Sequence, residues 1–407
     1  MKLNFLGTAS CFPTPIRGVS CTALSFDEGE IWLFDCGEGS QIQLQKCKSL
    51  RPGKVTKIFI THLHGDHLFG LPGLLCTLGN GCDPNNSKII DIYGPIGLRK
   101  YLITSLELSR SIPSIKFNIH ELQPIERQYP EDSYEWNTDF RYNGDSSDKV
   151  GENNFFRIYP VKLFDANETI VQSNHETSIC ELSKYCNESP CDLYSWEIFG
   201  FNERNYSVRA GILQHRIPSF GYVVTERDKP GKLNATALQK DFNIKPGPLF
   251  SKIKNSEVVE LEDGRKIQSN NYLDPPILGR KVAIFGDTSN SNEMNLLSRD
   301  ADILVHEATM ENGLQSKAIE YGHSTPDMAA KFAVLTNAKT LCITHVSPRY
   351  RPLCDCSLNS GEELDQKDTI TVDILRKEAE NYIKTVKSKI KVVIAEDFMV
   401  LPVKKLK

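Results

Sequence analysis

Short apolar runs separated by glycine, proline or acid set the rhythm of the chain. Leu3 to Leu6, Thr22 to Phe26 and Ile31 to Phe34 are aromatic or aliphatic and bounded by turn residues, which predicts short strands. Asp35-Cys36-Gly37-Glu38-Gly39 has the composition of a turn closing that hairpin. Val55 to Ile60 predicts a buried strand, followed by an apolar stretch with glycine and proline, Leu68 to Leu75. Ile89 to Tyr93 is a further strand, ended by Gly94-Pro95, with a helical stretch behind it, Leu98 to Leu108. Residues 127–154 and 172–206 lack apolar periodicity and are expected to be peripheral insertions. Strand then polar loop returns at Lys281 to Thr288, Ile303 to Thr309 and Thr340 to Ser347. Each of these delivers an acid or an imidazole at its carboxyl end. Helices are expected over Asp327 to Leu335, entered through Thr325-Pro326, and over Val372 to Lys387. Two such halves predict two sheets packed face to face with helices outside.

Composition adds limits. The 407 residues are 40% hydrophobic and 25% charged, enough to fill a large core. A formal net charge of -4 does not mark a nucleic-acid binder, so any such role must come from a local patch. No stretch of about 18 apolar residues exists, and no membrane span is expected. The start, Met1 to Gly7, is too short for a signal h-region. The 12 cysteines include no Cys-x-x-Cys pair and read as reduced intracellular thiols, Cys354 and Cys356 among them as surface thiols.

The chemistry gathers in Thr61-His62-Leu63-His64-Gly65-Asp66-His67. Three imidazoles and one carboxylate so close together would compete for partners in a core, whereas a divalent metal accepts all of them. His62 and His64 are two apart, so on an extended loop they point the same way and can grip one ion. Asp66 and His67 can reach a neighbouring ion. His215 and His345 have contexts that suit ligation. Asp287, at the end of a buried strand, could bridge two ions, the alternative being a loop N-cap. A bridged pair of ions lowers the pKa of a shared water and clamps the oxygens of a phosphoryl displacement. His323 has no ligand-like neighbour in sequence. It could protonate a leaving oxygen, oriented by Glu307, or be a plain surface histidine. His306 reads as structural, and His120 and His175 are given no chemistry.

These residues fall in motifs of a known family. Thr61 to His67 is similar to the histidine motif of the metallo-β-lactamase superfamily. Leu213 to Tyr222, Phe285-Gly286-Asp287-Thr288, His306-Glu307-Ala308-Thr309, Gly322-His323-Ser324-Thr325 and Thr344 to Tyr350 resemble, in order, the motifs of short-form ribonuclease Z. The resemblance spans nearly the whole chain. It implies an α/β fold, a four-layer αββα sandwich forming one catalytic domain over 1–407, with a flexible substrate-binding arm inserted at 228–279. It implies two zinc ions per subunit, with manganese or another divalent metal as a substitute. His62, His64 and His215 would hold one ion, Asp66, His67 and His345 the other, with Asp287 bridging. Asp66 resembles the proton acceptor and His323, supported by Glu307, the proton donor.

The implied activity is endonucleolytic removal of the 3′ trailer from precursor tRNA, leaving a tRNA 3′-hydroxyl and a 5′-phosphorylated trailer. Lys245, Gly247, Pro248, Leu249 and Lys252 are the substrate contacts expected on the arm. Nearby acids at Glu257, Glu260, Glu262 and Asp263 offset part of its charge. The Phe12 to Gly18 loop departs from the bacterial loop that senses a 3′ CCA end and looks more like the eukaryotic short form, an ELAC-group zinc phosphodiesterase. Arg17 is the substrate contact expected there. A homodimer acting in the cytoplasm, with nuclear residence as the alternative, completes the expectation. The competing readings are tRNA-end repair and a small-molecule phosphodiesterase of the same fold. An RNA-binding scaffold without chemistry would have no reason to keep seven ligand residues.

Overall fold

The structure is a computed structural model that describes residues 1–78, 89–113, 115–129, 156–160, 163–164, 195–201, 205–353 and 370–404. The strands are β1 (Lys2–Gly7), β2 (Cys21–Ser25), β3 (Ile31–Phe34), β4 (Val55–Phe59), β5 (Ile89–Pro95), β6 (Lys116–Leu122), β7 (Phe156–Pro160), β8 (Leu163–Phe164), β9 (Ser195–Phe199), β10 (Tyr206–Leu213), β11 (Ser219–Glu226), β12 (Val258–Glu260), β13 (Lys266–Gln268), β14 (Lys281–Phe285), β15 (Ile303–Glu307), β16 (Thr340–Thr344), β17 (Lys391–Ile394) and β18 (Val400–Pro402). One eight-stranded sheet runs β18-β1-β2-β3-β4-β5-β6-β7, the other β17-β16-β15-β14-β11-β10-β9-β8.

Side chains alternate across each strand, and the two faces have different neighbours. In β4, Ile58 joins the cluster under the outer helices while Phe59 points between the sheets. There it stacks on Phe34 at 4.8 Å and meets Tyr222 of the opposite sheet at 5.2 Å. Trp32, Trp196 and Phe220 fill the same layer. Outside the first sheet lie α1 (Ser40–Lys46), the single turn α2 (Gly65–Leu68), α3 (Leu71–Leu78) and α4 (Leu98–Leu108). The four-layer sandwich is therefore as expected. Lys57 is the polar exception between the sheets. It is buried and its ammonium sits 3.0 Å from Asp91.

Strands β3 to β7 are parallel, and so are β14 to β17. Parallel strands need crossovers, which leave their carboxyl ends free to carry loops at one edge. Two readings of the sequence fail here. Ser195–Phe199, inside the segment expected to be a peripheral insertion, is β9, and Trp196 is fully buried between the sheets. Its mixed polar and aromatic neighbours hid a strand that pairs far away in sequence. The hairpin of β2 and β3 turns at Phe26 to Glu30, not at Asp35 to Gly39, which leads into α1. Most of 127–154, residues 172–194 and 202–204, and the Cys354–Cys356 pair lie outside the described residues.

After β11 the chain leaves the sheet and returns at β14. Lys229 bridges to Ile277 and Leu233 to Leu273, forming an antiparallel stem. Beyond it, α5 (Ala235–Phe242), α6 (Pro248–Asn255) and the β12–β13 hairpin bury Leu238, Ile253, Val259 and Ile267 against one another. At the stem's base the Arg280 guanidinium bonds Glu226 at 2.7 Å and Asp27 at 2.8 Å. The second sheet is covered by α7 (Asn295–Ser298), α9 (Pro326–Leu335) and α10 (Asp373–Thr385), with α8 (Gln315–Glu320) preceding α9 in the chain. Among the described residues no helix is long and apolar enough to cross a membrane. Because 228–279 has its own apolar cluster, Ile267→Asp should abolish amide-exchange protection over 258–268. The midpoint of the main unfolding transition should stay unchanged, as denaturant titration can check.

Candidate metal centre

Strand ends of both sheets deliver the site. His62 and His64 lie on the extended segment leaving β4, and the turn of α2 swings Asp66 and His67 to a second wall. His215 follows β10, Asp287 follows β14, Glu307 ends β15 and His345 follows β16. Asp287 reaches the histidines because Gly286 passes directly against Thr61. A Cβ on that glycine would lie 2.5 Å from the threonine Cβ. Asp35 and His345 both hold left-handed backbone, φ 61° and 57°. Strained backbone of this kind collects where a side chain must be aimed, at a cost of about 1–3 kcal/mol each.

Two candidate ligand groups, His62-His64-His215-Asp287 and Asp66-His67-His345, meet at Asp287, whose other oxygen faces the second group. In the first, His62 Nε2 and His215 Nε2 lie 3.1 and 3.2 Å from His64 Nδ1, and 3.6 and 3.9 Å from Asp287 Oδ2. In the second, His67 Nε2 and His345 Nε2 are 3.2 Å apart, and each is 3.3 Å from Asp287 Oδ1. Asp66 Oδ2 closes this group at 3.2 Å from His345 and 3.7 Å from His67. Donors bound at about 2.0–2.1 Å to a tetrahedral ion lie about 3.3–3.4 Å from one another. The observed edges match that spacing.

The far side of each ring fixes which nitrogen can bind. His67 Nδ1 donates to Asp35 at 2.7 Å and His215 Nδ1 to the Gly322 carbonyl at 2.6 Å. The Thr61 hydroxyl donates to Asp35 at 2.9 Å, so toward His62 Nδ1, 3.0 Å away, it can only accept. The Thr309 hydroxyl donates to Glu307 at 2.6 Å and accepts from His345 Nδ1 at 3.0 Å in the same way. Four Nε2 atoms therefore converge with the carboxylates of Asp66 and Asp287, an arrangement that fits a cation. Gly322, at φ 75°, is required beside His215. A Cβ there would sit 2.5 Å from His215 Nδ1.

Charge follows the same division. Burial, then neighbouring imidazoles, lowers His62 well below the usual value and His64 to about 4. Burial also lowers His215 to about 4, against the pull of Asp287. For His67 burial is outweighed by Asp287, Asp35 and Asp66, which raise it. His323 is different. Burial opposes its charge, but Glu307 and then Asp287 outweigh burial and raise it to about 9. Its Nδ1 lies 3.0 Å from Glu307 Oε1. Glu307 in turn accepts from Thr288 N–H and from the amide and hydroxyl of Thr309, so the carboxylate is fully satisfied and fixed.

All seven expected ligands thus lie together, with His64, Asp66, Asp287, His323 and His345 lining one cavity and Glu307 bonded to His323 behind it. His323 is buried rather than on the surface. His306 bonds Ser291 and the Glu307 carbonyl, a structural role as read. Arg17 does not face substrate. It is 3% exposed and bonds the Thr8 hydroxyl at 2.7 Å and the Ala395 carbonyl at 3.3 Å, closing the loop onto the chain's end. On the arm, Lys245, Gly247, Pro248 and Lys252 are exposed, whereas Leu249 packs into the arm's own cluster. Sequence reasoning missed Asp35, Thr61 and Thr309 as ligand-orienting groups. An acid at a strand end, as at Asp287, was the available signal for Asp35.

A metal-dependent hydrolase of the metallo-β-lactamase fold is the class that this sandwich and centre define. The chain belongs to the ribonuclease Z family. It is 40% identical to human zinc phosphodiesterase ELAC protein 1, over 100% of this chain and 99% of that one. It is 34% identical to ribonuclease Z of Prochlorococcus marinus, over 99% and 100%. The crystal structure of human tRNase Z, short form, matches with a TM-score of 0.59 and 31% identity, covering 99% of this chain and 100% of that one. A family model described as anti-Pycsar protein Apyc1 matches residues 1–104. Because Asp35 orients His67 directly and His62 through Thr61, Asp35→Asn should weaken metal retention about 10–100-fold, read by chelator competition.

Proposed function

We propose that this chain removes the 3′ trailer from precursor tRNA by metal-dependent hydrolysis, leaving a tRNA 3′-hydroxyl and a 5′-phosphorylated trailer. The observation that carries the reading is the pair of ligand groups meeting at Asp287, with His323 held by Glu307 at the same cavity. His62, His64 and His215 would hold one zinc ion, Asp66, His67 and His345 a second, and Asp287 both. Such a pair lowers the pKa of a shared water and offsets charge on the phosphoryl oxygens.

The chain's own groups complete the reaction. Asp66, anchored by the Cys11 amide at 2.7 Å, accepts the proton of the attacking water. His323 gives its proton to the departing 3′-oxygen, and Glu307 keeps it charged and aimed. The exposed Lys245, Lys252 and Lys254 would meet tRNA backbone phosphates away from the cleaved bond, with Gly247 and Pro248 at the tip. Their paired neighbours, Arg265 with Asp263 and Lys266 with Glu260, are largely neutralised. The resemblance to the family extends the reading to a homodimer in the cytoplasm, with the nucleus as the alternative.

Incubation with a 3′-extended precursor tRNA, with and without a CCA end, followed by mapping of the product ends, tests the proposal. Asp66→Ala should abolish cleavage while tRNA binding persists in a filter assay. Comparable cleavage by that variant would sink the assignment. Deleting residues 230–275 should cripple tRNA processing but spare hydrolysis of a small phosphodiester. Loss of both would point away from an arm that grips tRNA. Since His323 must be protonated, the rate should fall as pH rises through its pKa, at or below about 9. Glu307→Gln removes the charge that raises this pKa, so the alkaline limb of the pH–rate profile should move to lower pH.

A further inference from the structure

One cation at the metal cavity has no part in the chemistry above. Arg216 directly follows the ligand His215, and its side chain lines the same cavity of about 360 Å³ as His64, Asp66, Asp287, His323 and His345. Asp287 is buried in that cavity, while Arg216 is exposed at its rim. Its stem runs beside Gly322, where an added Cβ would lie 3.2 Å from Arg216 Cγ. Gly322 precedes His323, and the Arg216 charge acts directly on the His323 imidazole, so this cation lies near the proton donor. Among the described residues no carboxylate pairs with it. The cations Lys57, Arg17 and Arg280 all have acids within 4 Å, by contrast.

The chemistry of the leaving group says what such a charge could hold. The scissile phosphate belongs to the ligand groups. The oxygen that departs is the 3′-oxygen of the last retained nucleotide, and the next negative charge beyond it is that nucleotide's own 5′-phosphate. It lies in the direction of the leaving group, which is the His323 and Arg216 side. A guanidinium presents a planar fork that matches two phosphate oxygens, and an exposed one gives up little hydration to do so. A simple phosphodiester has no such second phosphate.

We propose that Arg216 binds the backbone phosphate immediately upstream of the scissile one, and so selects a polynucleotide over a small diester at this site. The proposal rests on trailer cleavage as read above.

The test is a cycle between protein and substrate. Wild type and Arg216→Ala are assayed on a 3′-extended precursor tRNA and on the same RNA carrying a neutral methylphosphonate at that one phosphate. Each change alone should lower kcat/KM roughly tenfold, and the two together little more than either. Additive losses, or indifference of the wild type to the methylphosphonate, would overturn the proposal. Arg216→Lys keeps the charge but loses the fork, and its smaller loss should vanish on the methylphosphonate RNA. That variant carries the cycle if the alanine variant proves unstable. Failure of the wild type to cleave the unmodified RNA would remove trailer cleavage itself, a result seen before any variant is made.

Discussion

Everything at this site depends on holding imidazole nitrogens and carboxylates face to face. Five ring nitrogens and the oxygens of Asp66 and Asp287 converge at edges of 3.1 to 3.9 Å. Without a compensating cation such a cluster would be strongly unfavourable. The fold imposes it by fixing the opposite side of four of the five rings. Asp35, Thr61, Thr309 and the Gly322 carbonyl each occupy one Nδ1, and each is itself anchored on a strand end or a tight turn. The glycines at 286 and 322 are part of the same constraint, because a side chain at either would push a ligand or its support away.

The two sheets make that placement possible. His62 to His67 come from the first sheet, and His215, Asp287 and His345 from the second. Aromatic packing between the sheets, through Phe34, Phe59 and Tyr222, sets how far apart the two groups stand. The ligand set is therefore a consequence of the core as much as of the loops. The segment 228–279, with its separate apolar cluster, is outside this dependence. Its apolar cluster is its own rather than part of the core that carries the centre.

Much of this was legible in the chain. Five imidazoles and two acids at strand ends have a pattern that cores do not tolerate, and the parallel strands that carry them are short, apolar and cleanly bounded. What escaped was nonlocal. Asp35 sits in a run with ordinary turn composition, and only the folded chain brings it to His67, 32 positions on. Arg17 in a loop near an expected RNA site looks like a substrate contact. Its burial against Thr8 and Ala395, from opposite ends of the chain, has no local signature. Trp196 lies in a polar stretch whose strand is held by pairing with β10 and β8. Each miss is a case where a partner distant in sequence overrode local composition.

The central claim is that the seven ligand residues hold two divalent ions on which cleavage depends. Elemental analysis of the purified chain, set beside its rate on precursor tRNA as metal is stripped and restored, tests it most directly. The account predicts two ions per chain, activity that falls with their removal and returns with their restoration, and loss of the two-ion stoichiometry in Asp287→Ala. Full cleavage by a metal-free chain, or an unchanged stoichiometry in that variant, would contradict it.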